Sequence, residues 1–184
     1  DNGDQALVPN PGYPTYSSAV KLAGGECVSY KLTEENNWKP DFEKLERLVG
    51  ENRKVKLMFV NYPQMPTGQL PDRALFEKIT AFAKKNNILV CHDSFILNDQ
   101  PMSILSVNGA KEVAVELNSL SKSHNMAGWR IGALCGAKQF IDDVLRFKSN
   151  MDSGMFLPLQ LAAAKALEAG KEWHDELNAV YAKR

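Results

Sequence analysis

An excess of charge of either sign is missing from this chain: 22 lysines and arginines balance 22 aspartates and glutamates. Without a basic stripe or interleaved aromatics there is no electrostatic case for nucleic acid, so any phosphate recognition has to be local. Glycine-rich phosphate loops are absent too. Neither Gly-x-Gly-x-x-Gly nor a Walker loop occurs anywhere, which disfavours a nucleotide-binding α/β domain. Apolar runs are short, none near the roughly 18 residues of a membrane span, and the first residues do not read as a signal peptide. Cysteine is scarce: Cys27, Cys91 and Cys135 lie far apart in apolar runs, without ligand spacing. They read as buried free thiols in a reducing compartment, the cytoplasm. No histidine has a metal-like spacing, and there are no repeats or low-complexity tracts.

What is present suits one globular domain. The 184 residues are 44% apolar and 24% charged, enough to build a sizeable core. Short apolar strands alternate with helical patterns. Ala6–Val8, Glu26–Leu32, Val55–Val60, Ile88–Cys91, Val113–Leu117 and Ile131–Cys135 read as strands. Helices are expected from Pro14, over Pro40–Val49, over 71–86 and over Phe140–Met151. Near-continuous apolar strands imply burial on both faces, hence a three-layer α/β fold with a mostly parallel sheet flanked by helices. Pro158–Arg184 reads as one long helix, dividing the chain into 1–157 and 158–184. Both ends look cut: Asp1–Asp4 is a turn running straight into a strand, and the last helix stops in mid-pattern.

In such sheets ligands bind beyond the carboxyl ends of the strands. Four suggestive loops, after the strands ending at Val8, Val60, Cys91 and Ser119, share that edge. The stretch Ser119–Gly132 places Lys122 just after a strand, with Ser119 and Ser121 before it and Arg130 eight residues on. Such a lysine suits a Schiff base with an aldehyde cofactor whose phosphate the serines and arginine hold; an ordinary charged turn fits the same residue types. Asp93 leaves an apolar strand, where a carboxylate needs a partner. A protonated pyridine nitrogen would supply one, and so would a turn or a helix cap. Tyr13 follows a Pro-Gly turn on the same edge, where it suits either ring stacking or the rim of the core. His92 and His124 read as supporting residues, and His174 as solvent-facing.

Four motifs then fall in order: Gly3-Asp4 leading to Pro9-x-Pro11-x-Tyr13; Tyr62-Pro63-x-x-Pro66-Thr67-Gly68; His92-Asp93; and Ser119-x-Ser121-Lys122 followed by Trp129-Arg130-x-Gly132. In that order and spacing they resemble the large domain of the class I/II aminotransferases, the fold type I pyridoxal-phosphate enzymes related to aspartate aminotransferase. The resemblance runs from Asp1 to about Gln160. It implies pyridoxal 5'-phosphate as cofactor, held by Lys122 as a Schiff base, with Lys122 later moving a proton at the substrate α-carbon. It implies Asp93 on the pyridine nitrogen, Tyr13 against the ring, and Ser119, Ser121 and Arg130 on the phosphate. Amino-acid and 2-oxo-acid substrates follow, as does a homodimer with its active site at the subunit interface, toward which Ser149–Phe156 would reach. The residues' own chemistry agrees, since a desolvated lysine near cations is a better nucleophile and arginine offers a fork suited to phosphate.

Three departures from the family pattern stand out. Met65 occupies the place of an asparagine before Pro-Thr-Gly that bonds the cofactor phenolate; Asn61 or Gln64 is the candidate substitute. No tyrosine follows Asp93 by three residues. Either the chain has diverged there, or loop residues are missing so that Asp93 and Ser94 are not covalent neighbours; Ser94–Asp99 reads like the continuation of such a loop, which favours the second. The family's glycine- or serine-rich phosphate turn and its substrate-gripping arginine fall outside these 184 residues. The chain alone is therefore expected to lack normal activity and to bind the cofactor weakly or not at all. Elimination, decarboxylation and cyclisation use the same lysine and aspartate, and a non-catalytic, dimer-forming homologue remains an alternative.

Overall fold

A computed structural model describes residues 3–51, 54–94 and 102–183. Six strands, β1 (Gln5–Asn10), β2 (Glu26–Lys31), β3 (Val55–Asn61), β4 (Leu89–Ser94), β5 (Ala114–Ser119) and β6 (Gly132–Gly136), form one sheet in the order β2-β1-β3-β4-β5-β6. The first five run parallel and β6 runs antiparallel to β5. The helices are α1 (Pro14–Leu22), α2 (Phe42–Glu51), α3 (Arg73–Asn86), α4 (Leu120–Ser123), α5 (Lys138–Met151), α6 (Leu157–Leu167) and α7 (Lys171–Ala182).

Period-two alternation sends neighbouring strand residues to opposite faces. Leu7, Met58, Val60 and Val90 join Leu45 and Val49 of α2 and Phe76 and Ile79 of α3 in the main core. Ala6 and Val8, with half-buried Leu57 and Phe59, pack instead on Tyr16 and Val20 of α1. Both faces are thus covered, as the apolar strands imply. The longest core helix shows how local signals set such an element. Asp72 caps α3, its carboxylate accepting from the Leu75 N–H at 2.7 Å. Leu75, Phe76, Ile79, Phe82 and Ala83 are buried at helical spacing, and Asn87 ends the helix in the left-handed region at φ +53°. Asparagine takes that conformation more readily than most residues.

Two expectations change. The helix over 158–184 is two helices: α6 ends at Leu167, and Gly170, in extended backbone, precedes α7. Glycine weakens a helix interior by about 1 kcal/mol relative to alanine. α6 docks separately, with Ala163, Leu159 and Ala166 against Leu120, Met126 and Ile131. Asp93 and Ser94 are consecutive residues of β4, in unshifted register opposite Leu117 and Asn118; Phe95–Leu97 lie outside the described residues. Of the three free thiols, Cys27 and Cys91 are half-buried but Cys135 is exposed, because β6 closes the sheet on one side and has only β5 as neighbour. Burial raises the Cys91 thiol to about 12. Among the described residues no helix is long and apolar enough to cross a membrane.

Candidate functional site

At the carboxyl edge of the parallel strands the chain turns into α1, into the loop after β3 and into α4. The first turn is tight: a Cβ on Gly12 would meet the Pro9 carbonyl oxygen at 2.5 Å. It delivers Tyr13 to the N-terminus of α1, with Pro14 in the first helical turn, where its missing N–H costs nothing. β4 delivers Asp93. β5 delivers Ser119, which caps α4 by accepting the Ser121 N–H at 3.2 Å. These segments, with β6 and α5, enclose a cleft of about 670 Å³. Tyr13, Asp93, Ser119, Ser121 and Arg130 all line it, so five of the seven residues singled out from the sequence share one cavity.

Asp93 has a partner that the sequence reading missed. The Tyr16 hydroxyl donates to Asp93 Oδ2 at 2.6 Å. Tyr16 is itself buried, stacked on Phe59 with ring centroids 4.8 Å apart, and meets Tyr13 edge-on. Burial, then the bond to Asp93, drives its phenol well above the usual tyrosine range. It therefore stays protonated and remains a donor to the Asp93 carboxylate. The available signal was spacing: Tyr16 lies three residues after Tyr13, the N-cap of α1, so the first helical turn can bring the two rings together.

The opposite end is built of hydroxyls and a cation. Ser121 is buried in the cleft wall, and Ser123 Oγ donates to the Ser119 carbonyl at 3.2 Å. Arg130, on the cleft rim, sits at φ +53°, a conformation that costs a side-chain-bearing residue roughly 1–2 kcal/mol, and its Nη1 donates to Ala127 O at 2.9 Å. Two residues on, a Cβ at Gly132 would strike the Asn118 carbonyl oxygen at 2.6 Å. Only glycine allows β6 to start that close to β5.

Lys122 and Asn61 depart from expectation. Lys122 is exposed and not among the residues lining the cleft. The single turn of α4 buries Leu120, Ser121 and Ser123 and leaves Lys122 exposed beside them, so the desolvated lysine expected from the sequence is not found. Asn61 is buried but committed to backbone: its Nδ2 donates to Asp93 O at 2.9 Å and its Oδ1 accepts from Met65 N at 2.8 Å. Gln64 is committed likewise, to Pro11 O, Met65 O and Thr67. Both amide hydrogens of Gln64 are thus used, whereas Asn61 Nδ2 makes one of its two possible bonds, and both side chains hold the loop after β3 in shape. His174 is not purely solvent-facing either. It packs edge-on against His124, which stacks on Trp173 with centroids 5.5 Å apart.

Beneath the cleft lies a second group the sequence reading passed over. Glu116 of β5 is buried and accepts from Ser103 Oγ, the Ile104 N–H and Asn118 Nδ2, and its Oε2 lies 3.0 Å from His92 Nδ1. A lone carboxylate in an apolar strand was the signal, the same one that singled out Asp93. Burial works against its charge, but the bond and charge of His92, with Asn118 and Ser103, outweigh it and hold the carboxyl below the ordinary glutamate value.

Comparison with known proteins places this geometry. The family profile "Aminotransferase class I and II" matches residues 1–184. The LL-diaminopimelate aminotransferase of Dehalococcoides mccartyi is 43% identical over 189 aligned positions, covering 100% of this chain and 48% of that protein. Transaminase BacF of Bacillus subtilis is 45% identical, covering 99% of this chain and 46% of its own length. A substrate-bound structure of BacF superposes with a TM-score of 0.93 at 43% identity, covering 100% of this chain and 47% of that one. An aspartate aminotransferase from Thermus thermophilus with maleate gives 0.90 at 26% identity, covering 100% of this chain and 49% of that one. The chain spans about half the length of the curated relatives it matches.

Proposed function

The chain belongs to the class I and II aminotransferases, and on that premise we propose that it forms the cofactor-binding half of a pyridoxal-phosphate-dependent aminotransferase. That enzyme would move an amino group between an amino acid and a 2-oxo acid. The observation that carries the reading is the shared cleft: an aspartate, an aromatic ring, two serines and an arginine line one cavity of about 670 Å³. The donor set fits pyridoxal 5'-phosphate part by part. A carboxylate suits the pyridine nitrogen, an aromatic edge suits the ring, and hydroxyls with a guanidinium suit the phosphate.

When bound, the cofactor supplies an electron sink for charge developing at the amino acid's α-carbon. Asp93 would keep a proton on the pyridine nitrogen, and the Tyr16 hydroxyl would hold the Asp93 carboxylate in place. Tyr13 would cover the ring and exclude water. Ser119, Ser121 and Arg130 would fix the phosphate. Lys122, on a flexible four-carbon stem beside Ser121, would attach the cofactor through Nζ and later carry a proton at the α-carbon. Met65 cannot donate where the family has asparagine, so no side chain of the loop after β3 would hold the cofactor phenolate.

The relatives named for LL-diaminopimelate favour an amino-acid substrate of that dicarboxylic, diamino kind. A homodimer is favoured by the apolar side chains left in water on α5, α6 and the turn between them, among them Phe147 at 70% and Phe156 at 68% exposure. The turn, within 149–156, is the segment proposed to reach the partner's site. The scattered free thiols favour the cytosol.

Titration of the full-length enzyme with pyridoxal phosphate tests the reading. The expected result is a visible absorbance for the bound cofactor, which stays covalently attached after borohydride treatment and is lost in Lys122→Ala. Unchanged attachment in that variant sinks the assignment of Lys122. A bound cofactor without any amino-acid half-reaction would favour the non-catalytic homologue, whose motivation is Met65.

A further inference from the structure

We propose that His92 and Glu116 form a buried imidazolium–carboxylate pair that positions Asp93 and Asn118 in the wall of the cleft. The positioning role rests on the cofactor reading above; the charge state of the pair does not.

Counting protons assigns the charge. His92 is fully buried, and each ring nitrogen faces an acceptor. Nε2 lies 3.1 Å from the Tyr62 carbonyl oxygen, which only accepts, so Nε2 carries a proton. Nδ1 faces Glu116 Oε2 at 3.0 Å. That oxygen already receives the Ile104 N–H at 3.0 Å and the Ser103 hydroxyl at 2.9 Å. The Ser103 hydroxyl is oriented for it, because Ser103 Oγ itself accepts from the Leu105 N–H. A neutral His92 would leave a lone pair on Nδ1 and require Glu116 to donate from the oxygen that two donors already occupy. The proton therefore belongs on Nδ1, which makes His92 a cation donating at both nitrogens and Glu116 an anion.

The pair is wired to the cleft from two sides. Through Nε2, His92 holds Tyr62 O at the start of the loop after β3, and the preceding residue, Asn61, clamps the Asp93 backbone oxygen at 2.9 Å. His92 also directly precedes Asp93 in β4, its side chain on the opposite sheet face. Through Oε1, Glu116 receives Asn118 Nδ2 at 3.2 Å, and Asn118 lines the cleft. Two ions out of water persist only while both are present and fully bonded; removing one leaves the other uncompensated. His92 and Glu116 are thus positioning residues, touching neither cofactor nor substrate.

Nitrogen-15 spectra of the histidine side chains in the cofactor-free, full-length enzyme at neutral pH decide the charge. The expected result is two protonated ring nitrogens for His92; a lone-pair signal at Nδ1 overturns the proposal whatever any variant does. In Glu116→Gln, His92 is expected to turn neutral, the Asp93 backbone and Asn118 side-chain amide signals to shift, and pyridoxal phosphate to bind about tenfold more weakly. Unmoved Asp93 and Asn118 signals in a folded Glu116→Gln protein overturn the positioning role. A wild type that takes up no pyridoxal phosphate would instead sink the cofactor reading, with the pair still judged on the cofactor-free spectra.

Discussion

At the scale of single residues, the cleft is governed by what its polar groups are bonded to. Asp93 attracts notice in the sequence because a carboxylate in an apolar strand needs a partner; in the fold that partner is Tyr16. Hydrogen bonds to a charged group are worth about 1.5–3 kcal/mol, so Tyr16→Phe is expected to weaken pyridoxal phosphate binding about tenfold or more, read by absorbance titration. Binding equal to wild type would show that the Tyr16 hydrogen bond does not support the role of Asp93. Glu116 gives a pH signature. Its folded carboxyl lies below the ordinary 4.5, so its contribution to stability is present above that value and is lost as pH falls through the lower, folded one. Acid denaturation of wild type is expected to steepen below about pH 4.5, and Glu116→Gln to lose that steepening. Identical acid limbs in the two proteins would contradict this.

At the scale of elements, caps and dockings decide how firmly the site's supports are held. The α3 cap is expected to contribute about 1 kcal/mol, so Asp72→Ala should lower stability by roughly that amount in urea denaturation. The loss of the Lys39 ion pair on the same carboxylate, half-exposed on both sides, adds little. A shift of less than a few tenths would mean the cap is dispensable. α7 is held differently, by His124 against Trp173 and His174 and by the Tyr181 hydroxyl donating to Asn125 Oδ1 at 3.1 Å. Burial, then the neighbouring His174, lowers the His124 pKa below the ordinary 6.5. The folded state favours neutral His124, so its contribution is present above pH 6.5 and is lost as the pH falls below that toward the folded value. Trp173 emission, isolated as the difference between wild type and Trp173→Phe, should report α7 loosening over that window. A flat response from pH 7.5 to 5.5 would be the contrary result. The split between α6 and α7 matters here, because an unbroken helix would not dock each half on its own.

At the scale of the whole molecule, the mostly parallel sheet, its covered faces and the convergence of loops at one edge were legible from apolar strands and helical periodicity, whereas the strand order came from the fold. The pairing of β6 antiparallel to β5 was not legible either, since a short apolar run carries no direction. The exposed apolar residues of α5, α6 and the turn between them were visible only once the core had been filled by others. Substituting Phe147 and Leu161 together with glutamate is expected to convert the proposed homodimer to monomer in sedimentation experiments. A dimer that survives the double substitution would place the subunit interface elsewhere.

By itself the sequence determined the three layers, the edge on which the candidate site residues gather and the family, because strand and helix periods and motif spacings are local properties of the chain. It also brought Tyr13, Asp93, Ser119, Ser121 and Arg130 under notice. Tertiary structure alone decided which polar atoms remain free. Asn61 and Gln64 carry the right chemistry for a cofactor contact, yet both amide hydrogens of Gln64 and one of Asn61 are given to backbone oxygens, two of them more than 30 residues away. Lys122 carries the right motif, yet the fold leaves it exposed where the motif suggested a desolvated lysine. Tyr16, His92 and Glu116 acquire their roles only through partners 77 and 24 residues away. Hydrogen-bond capacity is finite and is allocated across the fold, which no spacing rule along the chain can express.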